Sequence, residues 1–158
     1  PGDNYHAKDR HVMPALIKKI YDSKRLNIPK TIFWGSGNPR REFLHVDDLA
    51  DAAIFVLENI SSDNKLLKDF REEYLVILNV GTSKDISIKE LAEKICSEQN
   101  YFGEIEWDLE KPDGTPRKLL DVSRIKELGW EAKIDFSQGI KDTIKSFIEE
   151  SEKETIRI

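Results

Sequence analysis

The sequence has 158 residues, of which 39% are hydrophobic and 35% are charged, and its formal net charge is −5. The length fits one ordinary domain, and the hydrophobic content lies well above that of disordered chains. The net negative charge disfavours a general role in binding nucleic acid. The single cysteine, Cys96, excludes an internal disulfide and a cysteine-based metal site, and it fits a reducing, cytoplasmic location. No apolar run approaches the roughly 20 residues of a membrane-spanning helix.

The first half of the chain predicts alternating helices and strands. Apolar residues at helical spacing, with Pro14 in the first turn, predict the first helix. β-branched and aromatic residues predict a strand before a glycine-rich turn. Asp47 and Asp48 are expected to begin the second helix, because acids favour its positive end. The predicted elements are a helix over 12–21, a strand over 31–34, a turn over 35–39, an extended segment over 41–45 and a helix over 49–58.

The second half starts with a polar stretch over 61–73 that has no clear period. The nearly continuous apolar run at 74–81 predicts a strand buried on both faces. Ser87 and Glu90 have the spacing of a capping box, which predicts a helix start. The remaining predicted elements are a half-buried strand over 104–108, a loop over 111–118, a short helix over 121–128 and a last helix capped by Asp135.

The order of these elements is typical of an α/β or α+β protein. The sequence contains no glycine-rich fingerprint between a strand and a helix. Gly35 and Gly37 are followed by Pro39, so they are interpreted as a turn and not as a dinucleotide site.

Several motifs resemble one enzyme family. Arg-Glu-Phe-Leu-His-Val-Asp-Asp at 41–48 resembles a segment that is common in the extended short-chain dehydrogenase/reductase superfamily. Lys-Pro-Asp-Gly-Thr-Pro-Arg-Lys at 111–118 is similar to the GDP-L-fucose synthase family in particular. The resemblance covers nearly the whole chain through segments 2–4 with 11–16, 34–50, 79–82 and 111–121.

The resemblance implies an α/β fold in which residues 1–158 form the C-terminal substrate-binding part of an extended enzyme. It also implies that 74–82 add a strand to the sheet of a Rossmann-type cofactor domain that is missing from this sequence. That half would carry the glycine-rich fingerprint and the Ser…Tyr-x-x-x-Lys set, bind NADP(H) and form the homodimer. The start at Pro1, without a methionine, suggests a fragment or a processed chain. The chain alone is expected to be inactive, because the glycine-rich and Tyr-x-x-x-Lys motifs are absent from it.

The chemistry of the family explains why a histidine is expected in the site. Its substrate is GDP-4-keto-6-deoxy-D-mannose, whose C4 carbonyl acidifies the protons on C3 and C5. Inversion needs one group to remove a proton and another to return it, and histidine suits this because it titrates near neutral pH. The resemblance implies that His11 is this acid/base and also contacts the cofactor. His6 and His45 are interpreted as ordinary solvated or structural histidines.

The resemblance also implies a set of substrate-binding residues. An arginine side chain can bond two phosphate oxygens at once, and a tryptophan ring can stack on a sugar or base. Arg40, next to the predicted substrate-binding residue Arg41, is expected to point away from the substrate as an exposed charge. The predicted substrate-binding residues are Lys19, Trp34, Arg41, Asp113, Arg117 and Lys118.

Two acidic positions have alternative interpretations. Asp113 could accept hydrogen bonds from the substrate or order its own turn through the backbone, and the sequence does not decide between them. Asp47 and Asp48 could be a metal pair, but helix capping is the preferred interpretation and no metal is predicted.

Two other functions remain compatible with the sequence. The chain could belong to an epimerase or dehydratase that acts on a UDP- or dTDP-sugar. It could also be a sugar-nucleotide-binding fragment without catalysis, because the cofactor fingerprint is absent from these residues.

Overall fold

The computed structural model describes residues 2–5, 11–61, 63–68, 71–74 and 77–153. The helices and strands alternate along much of the chain, as expected for an α/β protein. A short 3₁₀ helix, Lys65–Leu67, follows the second helix. The elements are α1 Val12–Arg25, β1 Lys30–Trp34, β2 Arg40–Glu42, α2 Val46–Asn59, β3 Asp85–Ser87, α3 Ile88–Gln99, β4 Glu104–Asp108, β5 Arg117–Lys118, α4 Ser123–Glu127 and α5 Phe136–Glu152.

The chain divides into two compact units. Unit 1 contains Pro1–Arg41, Ile86–Arg117 and Ser137–Ile158, and unit 2 contains Glu42–Asp85 and Lys118–Phe136. Strands β2, β3 and β5 form a three-stranded sheet in the order β3-β2-β5.

Unit 1 contains a pair of parallel strands with helices packed beside it. Strand β1 pairs with β4 so that Lys30 lies opposite Glu104 and Trp34 lies opposite Asp108. The predicted first helix, the strands over 31–34 and 104–108 and the last helix are confirmed. The capping box at the start of α3 is also confirmed, because Glu90 N–H donates to Ser87 Oγ at 3.1 Å and the Glu90 carboxylate accepts from Ser87 N–H at 2.9 Å.

The core of unit 1 is formed by the apolar stripes of three helices. The rings of Tyr5 and Tyr21 pack on Phe147, at centroid distances of 4.6 and 5.2 Å. Burial raises the pKa of the Tyr5 hydroxyl, and the nearby carboxylates of Asp3 and Glu150 add to this effect. The buried residues that the three helices contribute are Leu16, Ile17, Ile20, Leu91, Ile95, Ile140, Ile144 and Phe147.

Unit 2 has a smaller core. Its buried apolar cluster, in the part that the structure describes, consists of Ala52, Val122, Ile125 and Trp130. The Trp130 indole N–H donates to the Asp51 carboxylate at 2.8 Å. The predicted short helix is confirmed as α4, which stops before Gly129 at a positive φ of 106°.

The start of α2 differs from the prediction. The helix begins at Val46, and its N-terminal cap is His45, whose Nδ1 accepts the Asp47 N–H at 3.2 Å. Asp48 does not cap the helix, because its buried carboxylate accepts the backbone N–H groups of Lys133 at 3.1 Å and Ile134 at 3.0 Å. Among the described residues, no group of three or more metal-binding side chains occurs. The histidine cap was missed because capping preferences favour Ser, Thr, Asp and Asn.

One face of α2 is apolar and exposed. Its residues follow helical spacing, and Leu57 is 84% exposed. A different face of the same helix carries the buried Ala52. We call the exposed surface the apolar α2 face, and its residues are Val46, Leu49, Ala53 and Leu57.

The predicted buried strand over 74–81 is not formed by its described part. Tyr74 makes an isolated antiparallel bridge with Lys68, residues 75–76 lie outside the described residues, and 77–80 are not in a strand. Ile77 is 79% exposed, whereas Leu78 and Val80 are partly buried against the unit 2 core. The prediction of burial on both faces is therefore wrong for this part, because burial requires neighbouring strands and helices.

The prediction of a polar surface stretch over 61–73 is tested only in part, because residues 62 and 69–70 lie outside the described residues. No helix in the described part of the chain is both long and apolar enough to cross a membrane.

Candidate functional site

The carboxyl ends of β1 and β4 bring two loops of unit 1 together, a first loop over 35–39 and a second loop over 109–116. Trp34 and Asp108 are paired at these ends, and the Asp108 carbonyl accepts the N–H groups of both Gly35 at 3.0 Å and Lys111 at 3.2 Å. In α/β proteins, ligands commonly bind at the carboxyl ends of parallel strands. This strand end is therefore a candidate ligand-binding site.

A hydrogen-bonded pair connects the two loops. The Asp113 carboxylate accepts the Ser36 N–H at 2.8 Å and the Ser36 hydroxyl at 2.6 Å. These bonds, the hydroxyl bond first, hold the pKa of Asp113 below its usual range. Gly35 has a φ of 78°, and a side chain there would collide with the Asp113 carboxylate. Asp113 thus orders the turn, but through Ser36 and not through its own backbone.

Two cationic side chains lie beside the same loops. The Lys111 ammonium lies 5.9 Å from the centre of the Trp34 ring, which is 75% exposed and available for stacking. Arg41 donates from Nη1 to the Arg40 carbonyl at 2.7 Å. Its Nη2 lies 3.2 Å from the position that a Cβ on Gly114 would take, so the guanidinium lies against the second loop. We call Trp34, Ser36, Arg41, Lys111 and Asp113 the strand-end cluster.

Backbone hydrogen bonds fix the first loop from the other side. The N-terminus of α3 donates to it, from Ile88 N–H to the Pro39 carbonyl at 3.0 Å and from Lys89 N–H to the Gly37 carbonyl at 2.9 Å. The Trp107 ring fills the space where Gly37 would carry a side chain, 2.8 Å from that position. The strand-end cluster is therefore built on a well-supported turn.

Lys19 lies on α1, next to the strand that leads into the cluster. Its ammonium donates to the Ile32 carbonyl and lies 5.4 Å from the centre of the Phe33 ring. The amine is thus held beside β1, two residues before Trp34. Its predicted contact with a substrate stays a prediction.

His11 lies at the start of the same helix. It is exposed and occupies the N-cap position of α1, where its side chain makes no capping hydrogen bond. Eight residues separate it from Lys19, which corresponds to about 12 Å along the helix axis. Within the described residues, no hydrogen bond, ion pair or ring contact joins the His11 side chain to the strand-end cluster. Its catalytic and cofactor-binding roles stay predictions.

Arg117 and Lys118 form β5 and are both exposed. Successive side chains on a strand point to opposite faces, so these two residues do not share a face. Arg117 belongs to unit 1 and Lys118 belongs to unit 2. The expectation that both close over a nucleotide stays a prediction.

Two polar residues that are prominent in the structure, Ser36 and Glu42, were not predicted from the sequence. Ser36 was interpreted only as part of a turn. In unit 2, the Glu42 carboxylate accepts from the N–H groups of Thr82, Ser83 and Leu120, the last two at 2.7 and 2.9 Å. The glycine-rich turn and the acidic position next to Arg41 were the available signals, but their partners are about 40 to 80 positions away in sequence.

Comparison with known proteins shows which enzymes this chain resembles. The model of the NAD dependent epimerase/dehydratase family matches residues 1–76. A solved structure of a GDP-L-fucose synthetase from Naegleria fowleri bound to NADP superposes on the chain with a TM-score of 0.81 and 27% identity. The superposition covers 100% of this chain and 46% of the solved chain. The fold is the α/β fold of the extended short-chain dehydrogenase/reductase enzymes.

Curated relatives make the resemblance more specific. The chain is 43% identical over 149 residues to the probable GDP-L-fucose synthase 1 of Oryza sativa subsp. japonica and 42% identical over 153 residues to the GDP-L-fucose synthase of Escherichia coli K12. These alignments cover 94% and 97% of this chain but only 42% and 47% of the relatives. The predicted resemblance to GDP-L-fucose synthases is confirmed, and the chain spans about half the length of these relatives.

Proposed function

We propose that this chain is the substrate-binding part of an enzyme that converts GDP-4-keto-6-deoxy-D-mannose to GDP-L-fucose by 3,5-epimerisation and NADPH-dependent 4-reduction. The observation that carries the proposal is the strand-end cluster, which combines an exposed indole ring with two cationic side chains in a chain that resembles GDP-L-fucose synthases. We refer below to the full-length polypeptide as the complete enzyme.

The nucleotide would be held by aromatic and cationic side chains. Trp34 offers a flat apolar surface to the sugar or base, and Arg41 offers a planar fork to the diphosphate. Lys19 would add positive charge along the ligand, with a weaker contact because an ammonium lacks the arginine fork. Arg117 and Lys118 would add charge from opposite faces of β5, so that one of the two contacts the ligand directly. In a chain with a net charge of −5, local positive charge is required to attract a diphosphate.

His11 would exchange protons with the sugar ring carbons next to the C4 carbonyl. Its imidazole is exposed and makes no capping hydrogen bond, which fits a contact with a ligand. The same exposure fits a contact with the cofactor, which when bound supplies the hydride that reduces C4. We place the remaining cofactor-binding residues and the Tyr-x-x-x-Lys set in the other half of the complete enzyme. We therefore expect the 158-residue chain alone to show no turnover.

The other half is also the proposed partner of the apolar α2 face. An exposed apolar surface of this kind marks a site of contact with another protein surface. The exposed Ile77 belongs to the segment that we expect to add a strand to the cofactor-domain sheet. Homodimer formation would then depend mainly on the half that these residues lack.

The direct test is an activity assay of the complete enzyme. We expect oxidation of NADPH that depends on the 4-keto GDP-sugar, and competition by GDP in preference to UDP or dTDP. A preference for UDP or dTDP would instead identify another epimerase or dehydratase. Binding of GDP without NADPH oxidation would identify a non-catalytic binding protein.

A second experiment isolates the role of His11. In D2O, the complete enzyme should introduce deuterium at C3 and C5 of the sugar. His11→Ala should reduce this exchange by roughly 10²- to 10⁴-fold, the usual contribution of an acid/base group, and leave GDP binding nearly unchanged. His6→Ala provides a matched control. Unchanged exchange in His11→Ala would remove this residue from the mechanism.

A further inference from the structure

Ser36 fixes the direction of the Asp113 carboxylate. Both carboxylate oxygens accept hydrogen bonds from Ser36, one from its N–H and one from its hydroxyl. The Ser36 hydroxyl also accepts the Asn38 N–H at 3.1 Å, which fixes the direction in which it donates. The carboxylate is therefore held in one orientation, and because it is exposed and each oxygen accepts more than one hydrogen bond, it can still accept from a ligand.

This pair joins two segments that are separated by 77 positions in sequence. Each segment carries one half of the cation–ring contact, Trp34 two residues before Ser36 and Lys111 two residues before Asp113. A second anchor closes the far end of the second loop, where the Arg40 N–H donates to the Pro116 carbonyl at 2.7 Å. Between these two anchors, the Arg41 guanidinium lies against Gly114.

We propose that Ser36 is a positioning residue, which orients the Asp113 carboxylate and the second loop that carries Lys111 around the exposed Trp34 ring, where the GDP-sugar would bind. The proposal rests on the proposed function and adds a specificity-supporting role for Ser36, which the sequence motifs do not mark. Gly35 is part of the same device, because only a residue without a side chain lets the carboxylate approach.

A positioning role for Ser36 and an independent role for Ser36 predict different behaviour in a double-mutant cycle. If Ser36 acts through Asp113, removing the hydroxyl has no further effect once the carboxylate is gone. If Ser36 acts independently of Asp113, the effects of the two substitutions multiply. The cycle therefore distinguishes the two roles of Ser36 without a bound ligand.

The experiment measures KM and kcat for the GDP-sugar in the complete enzyme with Ser36→Ala, Asp113→Ala and both together. The loss of one or two hydrogen bonds should raise KM roughly 3-fold for Ser36→Ala and roughly 10-fold for Asp113→Ala. The double variant should match Asp113→Ala, and kcat should change by less than about 2-fold because no reacting group is removed. Ser36→Thr keeps the hydroxyl and should restore a KM near that of the wild type.

Asp63→Ala is the matched control, because Asp63 accepts from the Ser61 hydroxyl in another exposed Ser–Asp pair in unit 2. It should leave KM unchanged. Multiplying effects, or a large effect of Asp113→Ala with none from Ser36→Ala, would overturn the positioning role of Ser36. A wild-type enzyme that does not oxidise NADPH with the GDP-sugar would instead refute the proposed function. In that case the same cycle, measured as the dissociation constant for GDP, still tests the pair.

Discussion

The two units of the chain bury their apolar side chains to different extents. In unit 1, three helices direct continuous apolar stripes into one core that includes Tyr5 and Phe147. In unit 2, the described core is a small cluster around Trp130, while Leu57 on α2 is 84% exposed. Since stability scales with the apolar area removed from water, we expect the larger buried core of unit 1 to contribute more to its stability than the core of unit 2 does. Unit 2 instead has apolar surface that a further protein surface can cover.

The candidate ligand site and the exposed apolar surface also lie in different units. The strand-end cluster lies in unit 1, on a turn that several backbone hydrogen bonds support. The apolar α2 face lies in unit 2, where polar contacts such as those of Glu42 and Asp48 secure the backbone. A rigid support favours a preorganised ligand site, and an exposed apolar helix favours association with another domain.

The largest change in the free energy of unfolding is expected from truncating a core side chain of unit 1. Phe147 is 1% exposed and packs on two tyrosine rings. Phe147→Ala should lower the free energy of unfolding by about 3–5 kcal/mol, measured by urea denaturation of the chain. The control Phe102→Ala removes a ring that is 92% exposed and should change it by less than about 0.5 kcal/mol. Similar losses in the two variants would contradict the assigned core.

A smaller, local effect is expected from the buried carboxylate of unit 2. Asp48→Ala leaves the N–H groups of Lys133 and Ile134 without their acceptor, which should cost about 1–3 kcal/mol. Hydrogen exchange at these two amides should accelerate, while the α3 amides of unit 1 stay protected. Asp47→Ala is the neighbouring control, because the Asp47 side chain is 77% exposed. Equal effects of the two variants would refute the distinct role of Asp48.

The apolar α2 face predicts an effect that depends on what covers it. Leu57→Ala in the 158-residue chain should change the free energy of unfolding by less than about 0.5 kcal/mol, because the side chain is already exposed. In the complete enzyme, the same substitution should cost about 2–5 kcal/mol if the other half covers this face. Leu91→Ala, in the unit 1 core, should be costly in both. A negligible cost of Leu57→Ala in the complete enzyme would remove the docking role.

The smallest effect concerns the pH dependence of the Ser36–Asp113 pair. Because the folded-state pKa of Asp113 is lowered, its stabilising contribution is fully present above the ordinary value near 3.9 and is lost as the pH falls through the lowered value. The difference in melting temperature between wild type and Asp113→Asn should therefore be constant above about pH 5 and shrink in stronger acid. A difference that grows on acidification would contradict the contact with Ser36.

Local patterns explain which elements could be predicted. The apolar spacing of α1, the Ser87–Glu90 capping box and the alternation over 104–108 depend on neighbours within a few residues, and all three predictions are confirmed. The strand over 74–81 was mispredicted in its described part, because a strand is defined by the strands beside it and apolar content alone does not supply them. The cap of α2 was assigned to the acids after His45, since histidine is an uncommon cap.

The candidate site could be predicted only as a set of residue types. The motifs selected Trp34, Arg41 and Asp113, and the structure brings these three into one cluster. The partnership of Asp113 with Ser36 could not be predicted, because a hydrogen bond across 77 positions leaves no periodic signal in the sequence.

The sequence by itself determined the helical and extended segments, the kind of enzyme that the chain resembles and the chemical groups available to a GDP-sugar. Only the tertiary structure decided that Asp113 faces Ser36, that His45 caps α2 and that one side of this helix is left uncovered. The physical reason is that side-chain direction and burial depend on segments distant in sequence, whereas helix and strand preferences depend on residues close to each other along the chain.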